Sequence, residues 1–314
     1  MDAVSHALIG FSLAVLSGHQ PAFSDPIFIS TILGAQAPDL DIFTHIRGGM
    51  TYLKQHRASS HSFPGIIGWS LFIAISVHVF VSSADIMSLF LWAFVGGLSH
   101  ILSDYANTHG AALLWPLKKE RISCHLLNVF DPIILALLFV FDIYIYYAGQ
   151  FSWYLAVSLF AYTLFRLFLK KQAYCYLKQY LKDYIVHQIL IMPSLRHLFN
   201  LDFVVQTDQG YFAGRISNIN LTVQITATFP CKKTSSVLIS EAQKTPLGRF
   251  FRTFSPFAYF EEAKENNVVK VKIYDLRYIL NHKFLHSATI IFNQHQLPVT
   301  SYLHTYGRNI KVPC

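Results

Sequence analysis

Long apolar segments dominate the first half of the chain, and short segments with alternating apolar and polar positions dominate the second half. Before residue 170, four apolar segments predict membrane-spanning helices, because a helix needs about 20 residues to cross the hydrocarbon core. The predicted spans cover residues 62–84, 86–103, 126–148 and 151–165. Two shorter apolar segments precede them and predict a shallow hairpin at one membrane surface. We therefore expect an all-α membrane-embedded bundle over residues 1–170.

The pattern changes after residue 170, where an amphipathic helical connector is predicted for residues 171–200. From there on, β-branched and other apolar residues recur in short runs, such as residues 221–225, which are separated by turn residues. A helical interruption near residues 235–251 completes the pattern. We therefore expect a small soluble α+β domain, rich in β-strands, over residues 201–314.

Basic residues are distributed unequally among the predicted loops. Loops 42–61, 105–125 and 166–182 contain Lys and Arg, whereas the turns at 82–85 and 149–152 contain neither. Basic loops remain on the cytoplasmic side of a membrane. The distribution predicts a multi-pass membrane protein with both termini, and hence the soluble domain, in the cytoplasm.

Composition supports this division. Hydrophobic residues make up 53% of the 314 residues, which is too apolar for an ordinary soluble domain. The net charge is +8, and residues 200–314 contain 13 Lys and Arg against 7 Asp and Glu. A basic domain beside a bilayer favours anionic lipid headgroups as partners, and we expect no nucleic acid. The 4 cysteines show no C-x-x-C spacing, so neither a disulfide framework nor a zinc knuckle is indicated.

His100 and Asp104 stand four residues apart at the end of the apolar run that begins at Ile86. On a helix, this spacing places the imidazole and the carboxylate on one face, where both can bind the same cation. Ionisable side chains in a membrane helix are costly unless they are paired, so their presence indicates a function. The alternative is a hydrogen-bonded core histidine next to an aspartate at the water interface.

Further histidines and aspartates fall at the same membrane surface under the predicted topology. The whole set, from five segments, comprises His6, Asp39, Asp41, His56, His61, His100, Asp104 and Asp131. We predict metal ligation by this set, with His6, Asp41, His61, His100 and Asp104 as the first-choice ligands. Purely structural roles remain open for three members: Asp39 in a turn, His61 as a helix cap and Asp131 as an N-cap.

Imidazole and carboxylate donors without thiolate predict a hydrolytic metal site. Zinc is the first expectation, manganese and iron are alternatives, and more than one ion is expected. Two ions bridged by an aspartate would activate water and neutralise charge on a phosphoryl group. Asp39 and Arg57 are the predicted catalytic residues. Asp39, or Asp41 in its place, would orient the water or accept its proton, and the forked donors of Arg57 would bind phosphate.

The order of these motifs resembles the YdjM-like family of bacterial inner-membrane metal-dependent hydrolases. The motifs, which lie within residues 1–135, are Asp2 with His6, Pro38-Asp39-Leu40-Asp41, His56-Arg57, Ser60-His61-Ser62, His100 with Asp104, Asn107 and Gly110, and Asp131-Pro132. That family is distantly similar to the all-helical zinc-dependent phospholipases C, which implies phosphoester hydrolysis and includes lipids among the substrates. The chain departs from the family pattern at Ala58, where glycine is usual, and at His109, where an aromatic residue is frequent.

The sequence therefore predicts a metal-dependent hydrolase of the bacterial inner membrane, with a phosphoester or phospholipid as substrate and membrane lipids as partners. The site would open at the cytoplasmic surface. Two other classes remain open, namely a metal-ion transporter or sensor, and a membrane scaffold with a structural metal site. A transporter usually carries its ligands near the bilayer midplane and often contains an internal repeat, and neither feature is evident in this sequence.

Overall fold

A computed structural model describes most of the chain. The described residues are 1–41, 59–118, 120–194, 197–231, 236–265, 268–280, 283–305 and 307–314. They form two compact units, of which the first comprises Met1–Lys171 with Leu195–Leu198 and the second Gln172–Ser194 with Phe199–Cys314.

The first unit is helical. Its described residues form the α-helices α1 (Ala3–Ala14), α2 (Pro26–Gln36), α3 (Phe63–Phe80), α4 (Ile86–Ala106), α5 (Pro132–Ala148) and α6 (Trp153–Tyr180), the last of which continues into the second unit. Helices α3, α4 and α6 are long and apolar enough to cross a membrane, whereas α5 is apolar but has only 17 residues. Within its described residues, the helical N-terminal region thus contains three candidate spans.

Short polar residues fix where these helices begin. The side chain of Asp2 accepts a hydrogen bond from the backbone N–H of Ser5 at the start of α1, and Ser62 accepts one from Gly65 at the start of α3. Such caps satisfy backbone donors that have no partner within the helix. The residue that caps α3 is therefore Ser62 and not His61, which leaves the His61 imidazole available for other contacts.

Two glycines bring α2 and α4 unusually close together. A Cβ atom added at Gly34 would lie 2.1 Å from the carbonyl oxygen of Ala93, and one added at Gly96 would lie 2.1 Å from that of Thr31. Small residues allow helix backbones to approach in this way in membranes. The contact carries the C-terminal end of α2 to the turn of α4 that contains His100.

The second unit is built mainly from antiparallel strands. The described strands are β1 (Val186–Pro193), β2 (Asn200–Thr207), β3 (Gly210–Ser217), β4 (Thr222–Pro230), β5 (Ala258–Glu265), β6 (Val268–Asp275), β7 (Ile279–Leu280), β8 (Lys283–Phe284), β9 (His286–Phe292), β10 (Pro298–Thr305) and β11 (Arg308–Val312). One sheet has the order β1-β2-β3-β4 and another has the order β11-β10-β9-β6-β5. Strands β7 and β8 form a separate pair, and the helices α7 (Val237–Lys244) and α8 (Pro246–Phe254) lie between β4 and β5 in the chain.

The helical connector expected for residues 171–200 is wrong in its second part. Helix α6 ends at Tyr180, and Val186–Pro193 forms strand β1, which pairs with β2. The reason is that Ile191 and Met192 are buried in the strand, and the chain there obtains its backbone hydrogen bonds from the sheet. The apolar run here covers only residues 189–192, and so short a run does not by itself distinguish a strand from a helix.

Candidate metal centre

Three histidines point the same ring nitrogen toward a common centre. At each ring, Nδ1 has a partner of its own: Ser103 Oγ at 3.3 Å for His6, Ser60 Oγ at 3.0 Å for His61 and the carbonyl oxygen of Ala35 at 2.7 Å for His100. A partner at Nδ1 fixes the ring orientation and leaves Nε2 available as a ligand. The three Nε2 atoms are therefore presented together.

The Nε2 atoms converge from α1, from the segment before α3 and from α4. Nε2 of His61 and Nε2 of His100 are 3.1 Å apart, and the rings of His6 and His100 stack with their centroids 3.7 Å apart. Nε2 of His6 is buried and has no hydrogen-bond partner among the described residues. A buried nitrogen lone pair without a donor is costly in a protein interior, and a metal ion would satisfy it.

Two carboxylates complete the cluster. Oδ2 of Asp104 lies 3.4 Å from Nε2 of His61 and 3.8 Å from Nε2 of His100. Oδ1 of Asp39 lies 3.3 Å and 3.7 Å from the same two nitrogens. The ligand atoms of His6, Asp39 and His100 all lie within 4.8 Å of one another, as do those of His61, His100 and Asp104. Either group could hold a metal ion, and His100 belongs to both.

Burial sets this cluster apart from surface His/Asp pairs. His61, His100 and Asp104 are 0% exposed and His6 is 1% exposed, whereas the Asp39 side chain is 26% exposed. Imidazole and carboxylate groups are suitable ligands for a divalent cation, and in a closed environment bulk water does not take the place of such a cation. Asp39 is the member of the cluster that reaches solvent.

The loop after α4 holds Asp104 in place. Asn107 donates from Nδ2 to Oδ1 of Asp104 at 2.7 Å, and its own Oδ1 accepts from the backbone N–H groups of His109 and Gly110. The amino group of Met1 also contacts Oδ1 of Asp104. Asn107 therefore links the carboxylate to the backbone of the loop, which restricts its rotation.

His61 and Asp39, the two cluster members outside the α-helices, shift each other's pKa because they lie close together. Burial would lower the pKa of His61, but hydrogen bonds with Asp104, Asp39 and Asp41 outweigh it and raise the pKa to about 10. Burial would raise the pKa of Asp39, but its contacts with His61 and His100 outweigh it and lower the pKa to about 2. The carboxylates thus attract a positive charge, which a proton on His61 or a metal ion can supply.

The predicted site residues fall into three sets. His6, Asp39, His61, His100 and Asp104 come together in the cluster. Asp41 lies behind His61, where its Oδ2 is 3.4 Å from Nδ1 and accepts a hydrogen bond from Ser60 at 2.8 Å. From this position a carboxylate can support a ligating histidine, and the predicted role of Asp41 as a ligand itself stays a prediction. His56 and Arg57 lie outside the described residues, so their predicted roles stay predictions.

Asp131 has other partners. It caps α5 by accepting from the backbone N–H of Ile133, and both of its oxygens accept from the hydroxyl of Tyr162, at 3.0 Å and 2.9 Å. Neither metal-binding group found among the described residues includes it. The role of Asp131 as a ligand stays a prediction, and its role as an N-cap is present in the structure.

Sequence reasoning missed several polar residues of this unit. Ser60 and Ser103, which orient His61 and His6, gave no signal beyond standing next to predicted ligands. Asp142 in α5 receives a hydrogen bond from Ser12 in α1 and is buried, and its signal was available as the one charged residue within an otherwise apolar helix. A carboxyl group in such a segment is itself a feature to explain.

The helices and the cluster together define a class: a helical membrane protein with a buried His/Asp cluster that could hold a metal ion. Residues 1–173 match the family model described as YdjM inner membrane protein, and this match covers more than half of the chain. The chain therefore belongs to the YdjM inner membrane protein family.

Two further comparisons concern the whole chain and its second unit. Residues 237–311 match the family described as the YfhP C-terminal alpha/beta plait domain. The uncharacterized protein YfhP of Bacillus subtilis (strain 168) is 27% identical over 288 residues, which are 88% of this chain and 87% of that protein. No solved structure matches the chain.

Proposed function

We propose that this protein is a membrane-bound, metal-dependent hydrolase that acts on a phosphoester or phospholipid at the cytoplasmic membrane surface. One observation carries the proposal: three imidazole Nε2 atoms and two carboxylates converge in a single buried cluster inside a membrane protein. Such a cluster is costly to maintain in an apolar unit. Its donor types are those of hydrolytic metal centres.

Zinc is the proposed ion, manganese and iron are the alternatives, and more than one ion is proposed in total. His6, His61, His100 and Asp104 would hold the ion, with Asp39 as a further donor. When bound, the metal would supply Lewis-acid activation of water and of a phosphoryl oxygen. The absence of cysteine from the cluster supports hydrolysis over electron transfer.

Asp39 is the proposed catalytic carboxylate. It combines contact with the two central histidines, at 3.3 Å and 3.7 Å, with a partly exposed side chain. Asp39 could therefore contact both a bound cation and a water molecule from solvent. It would orient that water molecule or accept a proton from it. Arg57 remains the proposed phosphate-binding group, because its forked donors match two phosphoryl oxygens.

The proposed topology has four spans, made by α5 in addition to α3, α4 and α6, and places both termini in the cytoplasm of the bacterial cell. The basic loops support this orientation. The second unit would then lie beside the cytoplasmic leaflet, where its excess of Lys and Arg favours docking on anionic headgroups. Its proposed role is to hold the mouth of the site at the lipid surface.

Elemental analysis of the detergent-purified chain tests the metal site first. We expect about one or more equivalents of a transition metal per chain, and a loss of most of that metal in His100→Ala and in Asp104→Ala. His78→Ala is the matched control, because His78 is also a helical histidine in the first unit but hydrogen-bonds to the Ala84 carbonyl oxygen. A parent protein that takes up no metal even when metal is supplied would contradict the proposal.

Hydrolysis needs a second measurement. The metal-loaded protein is screened against soluble phosphoesters and against phospholipids in mixed micelles, in parallel with Asp39→Asn. We expect release of product by the parent and a rate at least about 100-fold lower in Asp39→Asn. If the protein binds metal but hydrolyses none of these substrates, the proposed metal site stands and the proposed phosphoester hydrolysis is contradicted.

The second candidate is metal binding without chemistry, in a metal-ion transporter or sensor or in a membrane scaffold with a structural metal site, and the near-complete burial of His6, His61, His100 and Asp104 favours it. A closed set of ligands suits binding without chemistry. Proteoliposomes distinguish the two: zinc uptake that depends on His100, with no phosphoester turnover, would favour transport over hydrolysis.

A further inference from the structure

Two cations on helix α6, Arg166 and Lys170, take no part in the metal cluster. They stand four residues apart and therefore lie on the same face of the helix, one turn from each other. Arg166 is only 3% exposed. A buried guanidinium group is costly unless an opposite charge compensates it.

Their partners are backbone carbonyl oxygens. Arg166 donates from Nη1 to Leu198 at 2.7 Å and from Nε to Leu126 at 3.3 Å, whereas Nη2 is buried with no hydrogen-bond partner among the described residues. Lys170 donates from Nζ to Cys124 at 2.6 Å and to His125 at 3.3 Å. Carbonyl dipoles orient these two side chains but do not neutralise them.

The described residues contain no carboxylate that pairs with either cation. The salt bridges of that part of the chain do not include Arg166 or Lys170. Asp131 is joined to the same helix through Tyr162, whose hydroxyl contacts both of its oxygens and also interacts with Arg166. The positive charges of Arg166 and Lys170 are thus adjacent and partly removed from water. Nη2 of Arg166 lacks a hydrogen-bond acceptor among the described residues.

We propose that Arg166 and Lys170 form a binding site for the phosphoryl group of an anionic phospholipid. The guanidinium Nη2 would donate to a phosphoryl oxygen, and Nζ of Lys170 would contribute a second charge. Basic sites between helices at the cytoplasmic side of a membrane bind headgroups in this way. The site differs from the metal centre in all of its residues and does not depend on hydrolysis.

The neighbouring side chains favour a lipid over free phosphate as the source of that group. Leu167 and Phe168, on the same turn of α6, are 51% and 60% exposed, and Phe165 is also exposed. Exposed apolar side chains beside a basic site suit acyl chains beside a headgroup. A partly exposed Lys170 gives the headgroup access to the buried Arg166.

Native mass spectrometry of the full, delipidated chain in detergent tests the proposal. The probes are phosphatidylglycerol, phosphatidylcholine and inorganic phosphate, each titrated against the parent protein. We expect about one phosphatidylglycerol to be retained per chain and phosphatidylcholine to bind at least about tenfold more weakly, because the zwitterion offers less net charge. Inorganic phosphate should compete only at much higher concentration.

The variants are Arg166→Gln, Lys170→Gln and the control Lys171→Gln, which removes the same charge from an exposed neighbour. We expect binding of phosphatidylglycerol to weaken about tenfold or more in the first two and to stay unchanged in the control. Should Arg166→Gln fail to fold, because Arg166 also holds two backbone segments, Lys170→Gln carries the test.

Unchanged binding in Lys170→Gln and in a folded Arg166→Gln would overturn the proposal. Equal retention of phosphatidylcholine would overturn it as well. Tight binding of inorganic phosphate with no retention of phosphatidylglycerol would assign the site to a free anion and overturn its assignment to lipid.

Discussion

Nε2 of His61 and Nε2 of His100 lie 3.1 Å apart, although the two residues are 39 positions apart in the chain. Two ring nitrogens at this distance need a proton between them or a shared cation beside them, since two lone pairs repel. Asp39 and Asp104 lie against both nitrogens. The pair is therefore the centre of the cluster, and its surroundings lead to specific predictions.

Asp41 supports His61 from behind, so Asp41→Asn should weaken metal binding without abolishing it. We expect the affinity to fall about 10- to 100-fold, which is the usual effect of losing the carboxylate behind a ligating histidine. Competition with a chromophoric chelator measures the change. Asp85→Asn, at the exposed N-cap of α4, is the control and should leave the affinity unchanged. Equal affinities of Asp41→Asn and the parent would show that Asp41 does not orient the ligand.

The close approach of α2 and α4 predicts that Gly34→Ala and Gly96→Ala damage both packing and metal binding. A new Cβ would meet a backbone oxygen at 2.1 Å in each case, so the helices must separate and carry Ala35 away from His100. We expect a loss of about 1–3 kcal/mol in stability. Gly68→Ala is the control, because nothing lies within 4 Å of a Cβ there. Thermal unfolding and metal content in detergent check both effects.

The second unit contains a buried ion pair that predicts a pH dependence of stability. Arg277 Nη2 lies 2.8 Å from Oδ2 of Asp275, which is 0% exposed. Burial would raise the pKa of Asp275, but the Arg277 charge and hydrogen bonds from Arg277 and Ser255 outweigh it and lower the pKa. The ion pair therefore stabilises the folded state fully above about pH 3.9, the pKa of Asp275 in the unfolded chain. This stabilisation is lost as the pH falls through the lower pKa of Asp275 in the folded state.

Arg277→Gln should reverse this sign. Burial then outweighs the remaining hydrogen bond from Ser255 and raises the folded pKa of Asp275. The variant should therefore lose most stability at neutral pH, by about 3–5 kcal/mol, and least near a pH of about 3. Unfolding of the full chain, followed by far-ultraviolet circular dichroism at several pH values, tests this. Arg252→Gln, at an exposed arginine of α8, should cost less than about 0.5 kcal/mol at every pH. A pH-independent loss in Arg277→Gln would contradict the prediction.

The proposed topology predicts which cysteines an impermeant maleimide reaches. Cys231 is exposed in the second unit, so a chain with Cys231 as its single cysteine should be labelled only after the inner membrane is opened. Ser83→Cys, in the exposed turn between α3 and α4, should be labelled in intact spheroplasts. Labelling of Cys231 in intact spheroplasts would place the second unit outside the cell and contradict the topology.

The sequence predicts part of the metal cluster for identifiable reasons. His100 and Asp104 share a helix face because of the four-residue spacing. The predicted topology placed His6, Asp39 and His61 at the same membrane surface, in agreement with the family resemblance. The different positions of Asp39 and Asp41 could not be predicted, because residues two apart in a tight turn point in directions set by tertiary packing. Likewise, no spacing rule reveals that the partner of Nδ1 in His100 is the Ala35 carbonyl of another helix.

The fold was predictable to a similar degree. Apolar length identified α3 and α4, whereas α6 extends well beyond the predicted end of its span because Leu169, Ala173 and Leu177 continue an apolar face. Strand β1 was not predicted because its strand character depends on pairing with β2, and the local sequence pattern does not reveal that pairing. Hydrophobic periodicity thus predicts single helices and strands well, but it does not predict which elements pack or pair with one another.

His100 belongs to both groups of potential ligands, and its Nδ1 donates a hydrogen bond to the Ala35 carbonyl oxygen. A neutral imidazole held in this way has a single lone pair left, so only one ion at a time can use it. The two groups therefore share one ligand atom, and of two ions in the cluster only one would be bound by His100. Replacement of His100 alone would remove a ligand from either position.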